Sequence, residues 1–103
     1  MPRYLYRVKA VRLGMLTEQT EHEADAVSRH FAYLQENAAR GVVLVAGRTQ
    51  NTSEDSFGII ILEAPNDEAA QAFMDRDPAV IEGVMTATVF PYRVAIGGTV
   101  SEG

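Results

Sequence analysis

Few side chains in this sequence can move a proton near neutral pH or attack as a nucleophile: among 103 residues there are two histidines and no cysteine. Imidazole suits the first task best, because its unperturbed pKa is about 6.5. His30 follows Val27 by three residues and precedes Leu34 by four, on the flank of a helical apolar stripe where a helix meets a sheet. It reads either as a general acid or base at a cleft edge or as a partly buried structural histidine. Tyr33 and Asn37 continue that flank, and Tyr33 is a candidate substrate contact. Asp77 is the second candidate for chemistry. A carboxylate beside an imidazole fixes its tautomer and raises its basicity, while an Asp before Pro is also a good helix N-cap. The two roles are compatible, since one oxygen can cap while the other faces the cleft. Asp75 is the alternative partner. Arg48, just past Gly47 at a strand end, is either a planar fork for an anionic group or an exposed hairpin arginine.

Other residue clusters point less far. His22, Glu23 and Asp25 resemble metal ligands in type, but nothing supplies a third ligand at the required geometry, and a solvated acidic helix start accounts for them. No metal is expected. Ser28, Ser53 and Ser56 lack the context of a nucleophile elbow, and Gly97-Gly98 is too little for a phosphate loop. A formal net charge of −5, with scattered arginines, argues against nucleic acid. The lack of cysteine excludes disulfides and thiolate metal sites. No apolar run approaches the roughly 20 residues that span a bilayer, and Met1-Pro-Arg-Tyr4 does not open like a secretory signal. A soluble cytoplasmic protein without a membrane partner is the expectation.

The elements that must position these residues follow from periodicity. Tyr4 to Leu13 alternates as a strand, with Tyr4, Tyr6, Val8 and Ala10 on one face. Thr20 and Glu23 fit a capping box. Ala24, Val27, Phe31, Leu34 and Ala38 then form an apolar helical stripe ending at Arg40-Gly41. Val42 to Ala46 is a short apolar strand, and Arg48 to Ser56 a polar hairpin loop. Phe57 to Ala64 is the next strand. Asn66 caps a second helix that stops at Asp77-Pro78, where a further helical turn begins. Met85 to Ile96 reads as a long final strand, and residues 98–103 as a flexible tail on a single domain of residues 1–97.

The order β-α-β-β-α-β is the ferredoxin-like split βαβ pattern: an α+β fold with a four-stranded antiparallel sheet and its helices on one face. In Phe57-Gly-Ile-Ile-Ile-Leu62 both alternating sets are apolar, and the final strand repeats this. A half-exposed strand should alternate apolar with polar. Helices of this chain cover one face only, so a second copy of the same sheet is expected on the other, giving a homodimer through the sheet face.

Several segments taken together resemble the YciI-like (YCII-related) domain family. They are His30-x-x-Tyr33-Leu34 with Gly41, the strand ending Ala46-Gly47, Asp77-Pro78 with Gly83-Val84, and Val89-Phe90-Pro91-Tyr92. The resemblance runs from Tyr4 to Ile96. It implies a dimeric α+β barrel of ferredoxin-like subunits and a His–Asp pair in a cleft, mapping onto His30 and Asp77. Most members have no established reaction. A dehydrochlorinase acting on a chlorinated aromatic breakdown product is similar in fold and pair, and the wider superfamily resembles muconolactone isomerases and small monooxygenases. This sequence departs from the family pattern in three places. Arg48 stands where a proline is usual, Ala79 where an aromatic often follows Asp-Pro, and the loop before the first helix is longer and more acidic. Ala79 would leave more room in the pocket, and Arg48 would bring positive charge.

The leading expectation is a small cofactor-independent lyase or isomerase acting on a small organic, anionic substrate. His30 would be the base, Asp77 its orienting partner, and Arg48 and Tyr33 the substrate contacts. The alternatives are a non-catalytic dimeric module that binds a small molecule or a protein, and a superfamily-type monooxygenase. A haem version of the last is weakened by the absence of tryptophan and by having only two histidines as axial candidates.

Overall fold

In the first strand, β1 (Arg3–Ala10), Tyr4, Tyr6 and Val8 are buried while Arg3 and Arg7 reach solvent, so the period-two pattern sets which face meets the helices. The computed structural model describes residues 1–100. A short 3-10 turn, Leu13–Leu16, leads into the long helix α1 (Glu21–Ala39). Then come β2 (Val43–Arg48), β3 (Gly58–Glu63), α2 (Asp67–Asp75), the one-turn helix α3 (Pro78–Ile81) and β4 (Met85–Tyr92). The sheet is antiparallel throughout, in the order β2-β3-β1-β4, and the architecture is ferredoxin-like. The main core lies between the sheet and the helices, with Tyr6, Ile60 and Leu62 sealed from water. Each such side chain stabilises the fold by about 2 kcal/mol relative to its exposed state. Among the described residues no helix is long and apolar enough to cross a membrane. Residues 101–103, the end of the expected tail, lie outside the described residues.

The helix boundaries follow local chemistry. Thr20 and Glu23 form the reciprocal capping box, each side chain bonded to the other's backbone N–H. Gly41, just past the end of α1, has φ 78°, a left-handed conformation that glycine adopts without a Cβ penalty. The Asn66 side chain caps α2, and Asp77 caps α3, which starts at Pro78.

Three expectations need correcting. The first strand ends at Ala10 rather than Leu13; Val11 instead donates its N–H to the Val84 carbonyl, and the chain turns at Arg12. The last strand ends at Tyr92 rather than Ile96. Tyr92 pairs with Arg3, the first residue of β1, so there is no neighbour for residues beyond it, and Ile96 is 93% exposed.

The third correction concerns α1. Its buried positions are Glu23, Ala26, His30, Leu34 and Asn37, whereas Ala24 and Ala38 are exposed and Phe31 is 54% exposed. The buried face is rotated relative to the apolar stripe because Phe31 and Ala38 line an open cavity, while Val27 borders the cavity and also packs against the cluster of Met15, Ala26, Ala79 and Val84.

On the sheet face away from the helices, Leu5, Ile59 and Ile61 are only half-buried, and Phe90 is 47% exposed. No element among the described residues covers that face.

Candidate active site

Three elements bring three side chains to one point beneath α1. His30 comes from the middle of that helix, Asp77 from the cap of α3, and Tyr6 from the middle of β1. His30 Nδ1 stands 2.8 Å from Asp77 Oδ1 and 2.7 Å from Oδ2. The Tyr6 hydroxyl donates to Oδ2 at 2.9 Å, and the Ala79 backbone N–H donates to Oδ1 at 2.9 Å. Asp77 is 0% exposed and His30 6%. An ionised carboxylate can only accept, so the bond assigns a proton to Nδ1; in the neutral imidazole Nε2 then carries the lone pair. Nε2 has no hydrogen-bond partner among the described residues and is not sealed from solvent; His30 borders the large cavity. The arrangement is an oriented imidazole with one free basic nitrogen facing an open space.

Tyr6 was missed as a site residue. Burial, then the nearby Asp77 charge, pushes its hydroxyl well above the usual phenol range, so it remains a donor. The sequence carried a signal for it: a tyrosine in the centre of a buried strand face needs a polar partner, and Asp77 is a buried acceptor. Of the two carboxylates considered, Asp77 is the one that meets the imidazole. Asp75 is exposed and accepts a hydrogen bond from Gln71.

The cavity measures 780 Å³ and lies between α1 and the ends of β1, β2 and β3. That size is ordinary for a small-molecule site. Gly58 forms part of its floor. A Cβ there would stand 2.9 Å from Val8 Cγ2, so glycine keeps the floor flat. Arg48 lies at the rim, where it also borders a smaller 310 Å³ hollow. Its orientation has a local cause. A register shift between Val43 and Val45 inserts one extra residue, so Ala46 pairs with Ile60 and Arg48 with Gly58. Strict alternation from Val43, which pairs with buried Leu62, would put Arg48 on the outer face; the bulge turns it to the face that carries His30. Arg48 makes no salt bridge among the described residues.

Tyr33 lies elsewhere. Its hydroxyl donates to the Phe73 carbonyl at 2.7 Å, its ring packs on Phe73, and it does not line the cavity. Burial, then the Asp77 charge, pushes its hydroxyl up to about 12. Ala79 is fully buried against Met15, Ala26 and Val84. Met15, from the longer loop before α1, thus takes up space beside Ala79, and it also lines the cavity. His22 lies 3.7 Å from Glu82, and Glu23 is held by Arg12. Among the described residues no group of three or more His, Cys, Asp or Glu could hold a metal ion.

The model of the YCII-related domain matches residues 6–93. Similar solved structures include two that cover most of this chain. One is 5-chloro-2-hydroxyhydroquinone dehydrochlorinase from Burkholderia phenoliruptrix, in complex with 2,5-dihydroxybenzoquinone; it is 22% identical, with a TM-score of 0.66 over 88% of this chain and 93% of that one. The other is an uncharacterised protein from Thermotoga maritima, 11% identical, with a TM-score of 0.59 over 89% of this chain and 98% of that one. At these identities the likeness is one of fold. No curated protein matches the sequence.

Proposed function

The chain belongs to the YCII-related domain family, and from that premise we propose that it is a small lyase or isomerase that works by proton transfer at His30, without a cofactor. The observation that carries the reading is the buried contact of His30 Nδ1 with Asp77, which leaves Nε2 free beside a 780 Å³ cavity. In the reaction, Nε2 takes a proton from an acidic carbon or hydroxyl of the substrate. The electron pair released moves into the adjacent carbonyl or ring. It then either expels a leaving group from the neighbouring carbon, which departs with its bonding pair, or is reprotonated elsewhere by the same imidazolium. Asp77 holds the ring in the required tautomer and stabilises the positive charge that forms on it. The dehydrochlorinase of similar fold supports the lyase form.

The first assay offers 5-chloro-2-hydroxyhydroquinone and reads chloride release, alongside deuterium wash-in to enolisable acids in D₂O. Positioned general-base catalysis contributes about 10²–10⁴-fold, and His30→Gln should lose that factor. If neither reaction exceeds the buffer rate, or if both survive His30→Gln, the imidazole is structural.

The functional unit in this proposal is a homodimer joined through the outer sheet face. Leu5, Ile59, Ile61 and Phe90 supply an apolar surface there that the chain's own helices do not cover. Sedimentation of a monomer at micromolar concentration would end that part of the proposal.

A further inference from the structure

The charge around the cavity is opposite to that of the chain. The sequence has 14 acidic residues against nine basic ones, yet among the described residues no Asp or Glu lines the cavity, while Lys9 and Arg48 do. Asp77 lies behind the imidazole and does not reach the lining. The two cations are not equivalent. Lys9 donates one hydrogen bond from its ammonium to the Glu54 carbonyl oxygen, whereas the Arg48 fork makes no side-chain hydrogen bond or salt bridge among the described residues. The bulge in β2 is what turns Arg48 to this face, and the absence of a side chain at Gly58, its cross-strand partner, leaves space beside it. The Arg48 Cβ is 3.7 Å from where a Gly58 Cβ would lie. On the opposite wall the Phe31 ring is largely exposed and stands edge-on to His30, with centroids 5.8 Å apart. The cavity therefore combines a cation at its rim, an aromatic wall, a flat floor and a single basic nitrogen.

We propose that this cavity binds a planar organic carboxylate, with the carboxylate on the Arg48 fork and the flat body between Phe31 and the Gly58 floor. The proton to be removed then faces His30 Nε2. A planar guanidinium matches a carboxylate with two parallel hydrogen bonds, which a hydroxyl or amide head cannot reproduce. The assignment of substrate class rests on the acid–base reading of His30, but the two can be tested separately.

The probes are benzoate and its neutral isostere benzamide, titrated into ¹⁵N-labelled protein while backbone amide shifts are followed. Benzoate should shift the amides of Phe31, Arg48 and Gly58 and bind about tenfold or more tighter than benzamide, because a hydrogen bond to a charged group is the stronger kind. Arg48→Gln should reduce benzoate to the level of benzamide, and Arg48→Lys should restore part of the difference. Equal affinity for the two probes, an unchanged benzoate titration in Arg48→Gln, or no shift at about 10 mM, the weak end of small-ligand affinity, would each overturn the proposal. His30→Gln separates the two readings. If it still prefers benzoate and loses turnover, both stand. If it prefers benzoate and keeps turnover, the carboxylate site stands and the base does not.

Discussion

Two ionisable side chains are buried on the same face of α1, two turns apart, and their surroundings differ. Glu23 is closed in on itself: Arg12 Nη2 lies 2.6 Å from Oε1, Arg12 Nε 3.0 Å from Oε2, and the Thr20 backbone N–H donates to Oε1 at 2.9 Å. Its bonding capacity goes into holding the helix start to the preceding turn. His30 is anchored at one nitrogen and open at the other. Burial of a charged group thus marks two different things in one helix. A group satisfied on every side fixes structure, whereas one satisfied on a single side is oriented toward something that must arrive from outside.

The sharpest way to break this comparison is to exchange the consequences. His30→Gln should remove about 10²–10⁴-fold of turnover and, because it breaks the buried contact with Asp77, also lower the melting temperature. Glu23→Gln should leave turnover alone and lower the melting temperature. If both variants behave alike, the contrast between open and closed groups is wrong.

Asp77→Asn is next in size, because it touches both functions of one residue. Breaking a buried pair by removing one partner costs about 3 kcal/mol. Urea denaturation should register that loss, and turnover should fall with it because the amide no longer specifies the tautomer.

Tyr6→Phe keeps the ring, whose centroid lies 6.1 Å from that of Phe73, and deletes the donor to Asp77. A hydrogen bond to a charged acceptor contributes about 2 kcal/mol. A stability loss of that order, read by urea denaturation, is the expected outcome, and turnover should fall if the hydroxyl helps hold Asp77 against the imidazole. Unchanged turnover would make the hydroxyl purely structural.

The smallest effect belongs to the closed pair. The hydrogen bonds from Arg12, then the Thr20 backbone N–H, hold the Glu23 carboxyl down to about 2, against an ordinary 4.5. A depressed carboxyl contributes stability above its unfolded value and loses it as pH falls through the folded one. The Glu23 contribution is therefore present above pH 4.5 and fades between there and 2. Arg12→Met should flatten that part of the melting-temperature curve, read by circular dichroism from pH 6 to 2, where the wild type should decline.

Much of this architecture is legible in the sequence where the signal is local. The Thr20–Glu23 box, the Asn66 cap, Asp77 before Pro78 and Gly41 after the helix each announce a boundary through side chains within four residues, and each stands where expected. The readings that fail depend on what lies across space. Apolar periodicity cannot separate a core face from a cavity wall, so Phe31 and Ala38 read as core. Alternation cannot reveal where a partner strand begins, so the last strand was drawn four residues too long. The bulge after Val43 leaves no local trace, yet it decides which face Arg48 takes. Asp77 was recoverable as a partner for His30 because its cap position was local and the resemblance supplied the distant half. Tyr6 signals in the sequence only that a buried hydroxyl needs a partner; that the partner is Asp77, 71 residues away in the chain, comes with the fold.

The Asp77 carboxylate holds the imidazole with the same oxygen that receives the first free N–H of α3. Seating the base and closing that helical turn are consequently a single cooperative event. A chain still emerging during synthesis, complete through α1 but not yet through Ala79, has a histidine with no fixed tautomer and no oriented lone pair. The same holds for any transient opening that frays α3 in the finished protein. The reactivity proposed for Nε2 would thereby be tied to completion of the fold, and partly assembled copies would lack the oriented base.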